Sequence, residues 1–276
     1  MDIWNPWHGC RKYTEGCDNC YMFYLDEQHG QYGGDISRVK GSFDLPLQKK
    51  RDGTYRVPDG SMLHACMTSD FFLEEADEWR PAVWDMIRRR PGVAFWLQTK
   101  RISRVPYCLP PGFGDGWENV HFCVTAENDA RAKERLPQLL ALPFRHKHVM
   151  CAPLLSGIDL SPYLASGEIE SVLADGENYA GARPCRYEWV ASLCEQCRDA
   201  DVPFHFVGTG NRFVKDGHTY HVPKAYQKVE ALRSGLQYPP PAAVPPIRKK
   251  CAFCKMRHSC GGCKMCGRCD GTPSDA

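Results

Sequence analysis

From Ser61 to Gly208 the chain alternates short apolar runs with longer amphipathic ones, and that rhythm restricts the fold more than any other feature. SMLHACM (61–67), VAFWLQT (93–99), NVHFCVT (119–125), HKHVMCA (146–152), IESVLADG (169–176) and VPFHFVG (202–208) read as buried strands. EEADEWRPAVWDMIRRR (74–90), DARAKERLPQLLAL (129–142) and a segment from Arg186 to Asp199 read as helices between them. Short apolar strands separated by helices indicate βα units and a parallel sheet. With a brief N-terminal strand there are about six or seven such units, so an α/β fold built as a partial or full (βα) barrel suits 276 residues better than a doubly wound sheet. Neither GxGxxG nor a Walker A motif is present. Residues 28–60 read as a loop region with one short helix, and 211–222 as a hairpin around Asp216-Gly217, followed by a helix to about Ser234. The expected organisation is a barrel over 1–236, a Pro-rich linker over 237–250 containing YPPPAAVPP, and a cysteine-rich tail over 251–276.

A net charge of +2 gives no overall nucleic-acid surface, so nucleic acid is not indicated as a partner by charge, although Arg88-Arg89-Arg90 and Arg248-Lys249-Lys250 are local basic runs. No signal peptide and no apolar run of membrane-spanning length is evident, so the expected location is cytoplasmic, with no membrane partner. In a reducing compartment the 16 cysteines point to metal or catalysis rather than a disulfide framework. Cys66, Cys123 and Cys151 fall in strand-like runs and read as small hydrophobes. Cys194 and Cys197 form a CxxC within a helix and read as structural thiols.

Cys10, Cys17 and Cys20 stand in a Cys-x6-Cys-x2-Cys array. Three thiolates on one short loop make a poor structural zinc site, which needs four ligands. They suit a 4Fe–4S cluster with one iron left open for a substrate or cofactor. The alternative is zinc with His8 as the fourth ligand. A loop after a first strand places the array at the C-terminal mouth of a βα barrel, where active sites sit.

The segment WNPWHGCRKYTEGCDNCY (4–21) resembles the opening of a phage-associated three-cysteine family in the radical S-adenosylmethionine (SAM) superfamily, which includes queuine lyase-like enzymes of queuosine salvage. TSDFF (68–72), FWLQTKR (95–101), VTAEN (124–128), PLLSGIDL (153–160), DGENYAGARP (175–184) and the helix and strand from EW to VPFHF (188–206) follow in that family's order, so the resemblance spans about residues 3–210. It implies a 4Fe–4S cluster on the three cysteines, SAM on the open iron, and a 5′-deoxyadenosyl radical that abstracts hydrogen from a carbon. It further implies an electron donor such as flavodoxin or ferredoxin. Asp70, Thr99, Lys100, Arg101 and Glu127 lie at strand ends where they can hold SAM: Asp70 at its ammonium, Lys100 and Arg101 at a carboxylate, Glu127 at the ribose. Plainer readings are a helix cap for Asp70, a solvated loop carboxylate for Glu127 and exposed charge for Lys100 and Arg101.

The resemblance implies a lyase acting on a small modified nucleobase, queuine, to leave 7-aminomethyl-7-deazaguanine. Asp175, Glu177, Asn178 and Phe206 are the candidate substrate residues, with Trp96 behind them, although strand aromatics such as Phe206 and Trp96 are usually core. His64, His205 and Glu177 are the candidate acid–base groups. The chain departs from relatives near the substrate end: Ala152 where an acid is common, DGEN (175–178) for a glycine-richer turn, and VGTGN (207–211) for a lysine–glutamine–tryptophan segment.

Cys251, Cys254, Cys260, Cys263, Cys266 and Cys269 have the paired spacing of a four-thiolate site, which suits a second iron–sulfur cluster or zinc. With His258 and the flanking Lys and Arg residues, zinc would make an RNA-contacting knuckle. Two rival functions follow: a radical SAM enzyme modifying a peptide or nucleic acid, and a non-catalytic zinc-dependent nucleic-acid-binding protein.

Overall fold

A computed structural model describes residues 2–179 and 181–242. The six tail cysteines from Cys251 to Cys269 and most of the expected linker lie outside the described residues.

The chain is a mixed α/β protein around an eight-stranded sheet. Its strands are β1 (Asp2–Trp4), β2 (Met62–Ala65), β3 (Ala94–Thr99), β4 (Val120–Thr125), β5 (His146–Cys151), β6 (Ile169–Asp175), β7 (Phe204–Gly208) and β8 (Gln237–Tyr238). They lie in the sheet in the order in which they occur in the chain. The order never reverses, so the sheet lacks the switch point of a doubly wound fold. The β1–β2, β2–β3, β3–β4 and β6–β7 pairs are parallel. β8 runs antiparallel to β7 and takes up the first two residues of the expected linker. Apolar content in the flanking sequence is too low for so short a strand to announce itself.

The helices are α1 (Tyr21–Gln28), α2 (Arg80–Arg88), α3 (Asp129–Ala141), α4 (Tyr187–Asp199) and α5 (Lys224–Arg233). The run 74–90 is not one helix. A 3-10 turn covers Glu74–Ala76, and α2 starts beside Pro81, whose missing N–H is tolerated in a first turn. Arg80, Val83, Trp84 and Ile87 repeat at three- and four-residue intervals and are the buried stripe of α2. The expected hairpin is present as Arg212–Lys215 paired with His218–His221. Asp216 (φ 52°) and Gly217 (φ 73°) make its turn, both left-handed as a two-residue turn of this kind requires.

Contacts group the described chain into two compact units. One runs to Thr125 and adds Glu134–His148; the other holds Ala126–Lys133 and continues from Val149. The segment expected as a single barrel, 1–236, therefore has residues in both. In the first unit Trp4 meets Phe95 edge-on at 5.7 Å, and Phe122 stacks on Phe144 at 4.0 Å. In the second, Val190, Leu193 and Cys197 of α4 and Phe204 and Phe206 of β7 are buried. Cys194 and Cys197 are packed as the helix reading expects. No helix among the described residues is long and apolar enough to cross a membrane.

The loop region 28–60 contains the 3-10 turn Leu45–Leu47 and is tied down by one cation. Arg90, at 2% exposure, donates to the Pro46 and Val57 carbonyls and to Asp59, and its guanidinium lies 3.8 Å from the Tyr55 ring centroid. Replacing it with Met removes the donors from two carbonyls, each costing roughly 1–3 kcal/mol if left buried and unpaired. Arg90→Met is expected to lower unfolding free energy by about 3 kcal/mol in urea titrations. An unchanged midpoint would show that the loop does not depend on this side chain.

Candidate functional site

In the first unit the loop 9–20 hangs on backbone hydrogen bonds. Gly9 N–H donates to the Thr68 carbonyl at 3.1 Å and Cys10 N–H to Gly33 at 2.9 Å. Gly9 has φ +89°, and a Cβ there would come within 2.5 Å of the Asp35 carbonyl oxygen, so only glycine fits. Cys17 ends the 3-10 turn Glu15–Cys17, and Cys20 caps the start of α1. The three cysteines, separated in sequence, thereby line one cavity of about 130 Å³ together with Asp70, Thr99, Lys100 and Arg101. His8 does not line it and turns Nε2 to Asp26 at 2.9 Å instead.

The donor set can be tested against the groups it was expected to hold. A single zinc ion binds thiolates at about 2.3 Å, which brings ligand sulfurs to within roughly 4 Å of one another. Cys10, Cys17 and Cys20 do not form a group whose ligand atoms all lie within 4.8 Å. Three soft donors more widely set around an open space suit a polynuclear iron–sulfur group better than one ion. Burial pushes the Cys10 thiol up to about 12, with Asp70 adding to the effect and Arg101 opposing it.

Asp70 does a different task from the one its position suggested. Its Oδ1 accepts from Thr99 Oγ1 at 2.7 Å and Phe72 N–H at 2.9 Å; its Oδ2 accepts from Lys100 N–H and Arg101 Nη1, both at 3.1 Å. With two donors on each oxygen, no acceptor position is left for the ammonium of a cofactor. Arg101 passes the hold onward: Nη2 donates to the Arg11 carbonyl at 2.6 Å, and Nη1 lies 3.9 Å from Cys10 Sγ. Arg101 is 6% exposed, so it is not surface charge but part of the frame behind the cysteines. Lys100 contributes its backbone to Asp70 and lines the cavity.

Gln98 and Thr125 also line this cavity. Strand alternation continues their face to Trp96 and His121, and the register pairs His64 with Trp96 and Trp96 with His121. His64 is thus on the cavity face of the sheet, and burial lowers its basicity. His148 stacks on Trp96 at 4.5 Å, and its Nε2 lies 3.1 Å from Nδ1 of His121. Burial, with His121 and His146 adding, holds His148 down to about 3, so it stays neutral. His121 and His148 were missed in the sequence; matching parity in VHFC and HKHV was the available signal.

Cys66, read as a packing residue, is buried but lines the cysteine cavity. It follows the last residue of β2 with φ +58°, a left-handed turn that no residue pattern revealed.

The second unit holds the expected substrate residues, with two corrections. Phe206 is level with Ala174 in the β6–β7 register, whereas Asp175 follows on the opposite face. Phe206 is 2% exposed and packs against Phe213 at 5.8 Å, so it is a core residue rather than a wall of an Asp175 site. His205 is level with Leu173 and does share the Asp175 face, where it is exposed, and partial burial lowers its basicity. Glu177 is not poised for proton transfer: Oε2 accepts from Arg183 N–H at 2.7 Å, and Oε1 accepts from Arg183 Nε at 3.0 Å and from Nη2. The Arg183 guanidinium thus takes one Glu177 oxygen and its backbone N–H the other. Glu127 is fully buried and is not a solvated loop carboxylate.

Asp175 Oδ1 and Asn178 Oδ1 are sealed from solvent without a hydrogen-bond partner among the described residues. A Cβ on Gly208 would come within 2.7 Å of that Asp175 oxygen, so glycine makes the room it occupies. Burial pushes the Asp175 carboxyl up to about 7, with Lys224 and the Gly176 amide opposing. A carboxyl whose folded pKa is raised ionises in the unfolded chain first. Asp175 therefore costs stability progressively as pH rises from its ordinary value of 3.8 to about 7, and no further above that. Relative to the wild type, Asp175→Asn is expected to gain stability across that window in urea titrations and to hold a constant advantage above it. Parallel curves would show that Asp175 ionises like an exposed carboxylate.

No curated protein and no solved structure matches the chain. A family model described as a protein of unknown function (DUF5131) matches residues 1–265, and the chain belongs to that family.

Proposed function

We propose that the chain is a radical SAM enzyme whose reactive group is a 4Fe–4S cluster held by Cys10, Cys17 and Cys20, and that it acts as a lyase on queuine to leave 7-aminomethyl-7-deazaguanine. The observation that carries the reading is the meeting of three thiols around one cavity that Lys100 and Arg101 also line. When bound, the cluster supplies the electron that cleaves the sulfonium C–S bond of SAM and leaves a 5′-deoxyadenosyl radical for hydrogen abstraction. The unreversed strand order supports a partial βα barrel as the scaffold, with the cysteine loop at the C-terminal ends of its strands.

The chain's own residues do the positioning. Asp70 fixes the backbone of Lys100 and the guanidinium of Arg101, and Arg101 in turn anchors the loop carrying Cys10. The buried Arg101 charge offsets negative charge gathered on three thiolates. Lys100 brings a cation to the cavity wall, where it can meet a carboxylate of the cofactor. Gln98, Thr125 and the imidazole of neutral His148 offer polar groups along the same face of the sheet. For the substrate, the support is Asp175 and Asn178, whose sealed and unpartnered oxygens suit the polar edge of a small heterocycle. A carboxyl titrating near neutrality can both donate to and accept from such an edge.

The test is anaerobic reconstitution with iron and sulfide, reduction with dithionite, and measurement of 5′-deoxyadenosine with SAM and queuine present. Wild type is expected to form 5′-deoxyadenosine and consume queuine, and the Cys10→Ala, Cys17→Ala, Cys20→Ala triple variant neither. Stoichiometric zinc with no 5′-deoxyadenosine would sink the enzyme reading, whereas SAM cleavage with queuine untouched would sink only the substrate. Asp70→Asn keeps the shape of the network but weakens its hold on Arg101. It is expected to lower cluster occupancy or 5′-deoxyadenosine formation about 10- to 100-fold, as loss of a group that orients metal ligands usually does. Wild-type iron content and rate in that variant would show that Asp70 has no part in holding the cradle.

A further inference from the structure

Cys66 sits in the wall of the cavity that Cys10, Cys17 and Cys20 line. Neither the backbone bonds of the cysteine loop nor the Asp70 network uses its side chain. Its sulfur is free of any disulfide, the residue is 4% exposed, and no hydrogen bond to the thiol is made among the described residues. The backbone around it is fully engaged: Cys66 N–H donates to the Trp4 carbonyl at 2.9 Å, and its carbonyl accepts from Ser69 N–H at 3.0 Å. Two residues on, the Thr68 carbonyl takes the Gly9 N–H, and the Ser69 hydroxyl donates to the Gly9 carbonyl at 2.5 Å. The segment bearing Cys66 is thus fastened to the segment bearing Cys10, and the two residues interact electrostatically. A buried soft donor with no partner, in a wall shared with three other soft donors, has one obvious chemistry.

We infer that Cys66 is the fourth sulfur ligand of this site, closing the coordination position that Cys10, Cys17 and Cys20 leave open whenever no external ligand fills it. The inference rests on the iron–sulfur reading above and adds a resting state to it. Opening is a ligand exchange without electron transfer. An arriving ammonium sheds a proton and forms its bond with the lone pair so freed, the bond to the Cys66 sulfur breaks with its pair remaining on sulfur, and the released thiolate takes up the proton the ammonium has lost. Cys66 is 4% exposed and its backbone is held at both N–H and carbonyl, so the displaced sulfur stays beside the position it vacates. The exchangeable iron is then protected until the cofactor arrives, which an iron with only solvent on its fourth position is not.

The experiment compares full-length wild type, Cys66→Gly and Cys66→Ser, each reconstituted anaerobically and kept free of SAM. Glycine is the first choice because it adopts the positive φ of this position without strain, so loss of the thiol is separated from loss of the fold. Each protein is titrated with ferricyanide, and electron paramagnetic resonance reads the three-iron cluster formed when an exchangeable iron is lost. The wild type is expected to retain its four-iron cluster, and both variants to convert a several-fold larger fraction. The tail cysteines are present in every sample, so the contrast belongs to position 66. Equal conversion in all three proteins would overturn the fourth-ligand inference while leaving the open-iron reading in place. Absence of any iron–sulfur cluster from the wild type would overturn both.

Discussion

A single buried carboxylate organises the cysteine cradle. Asp70 receives donors from Phe72 just beyond it, and from Thr99, Lys100 and Arg101 at the end of β3. It therefore welds the C-terminal ends of two parallel strands and, through Arg101, reaches back to the loop at Arg11. Both members of the Asp70–Arg101 pair are below 10% exposed. An ion pair so placed is costly to assemble and still costlier to break on one side, since the survivor is left charged and dry. What it provides is a fixed distance between the cysteine-bearing loop and the sheet. Three thiols on a free loop would close on whatever ion arrived; held apart, they keep a space for something larger.

The same physics explains which expectations were legible. Strands, helices and the hairpin were readable because apolar periodicity and Asp216-Gly217 act within a few residues of themselves. The three-cysteine array was readable for the same reason. Roles assigned to single polar residues fared differently. Asp70 and Glu177 were placed near ligands because carboxylates at strand ends often are, yet both satisfy partners of their own chain first. Nothing local in the sequence states that Arg101 or Arg183 will be the partner. Phe206 was misplaced by one residue of parity: in β7 it faces the helix-covered side with Phe204, while His205 faces the other. A strand's alternation is visible in the sequence, but which phase meets a site depends on the bulge near Gly208 and on neighbours far away in the chain.

Cys66 shows the limit most clearly. Its neighbours in SMLHACM argue for a packed strand residue, and it is indeed buried. Burial in a core and burial in a cavity wall are identical in composition and differ only in what lies beyond the sulfur. The distinction arises from a left-handed residue at the strand's end, an event of backbone geometry with no glycine to mark it.

The unreversed strand order has a bearing on how such a molecule comes into being. Each early strand finds its neighbour among residues already made, so the sheet can grow from one edge as the chain leaves the ribosome, without waiting for a distant segment to be inserted. The cysteine loop is the exception to that sequential logic. Its thiols are made before the guanidinium lying behind Cys10, which follows 91 residues later. During that interval Cys10 has its backbone tie to Gly33 but lacks the guanidinium that will lie behind it. The cradle is thus complete only after β3 has been made and docked, although its thiols belong to a much earlier segment.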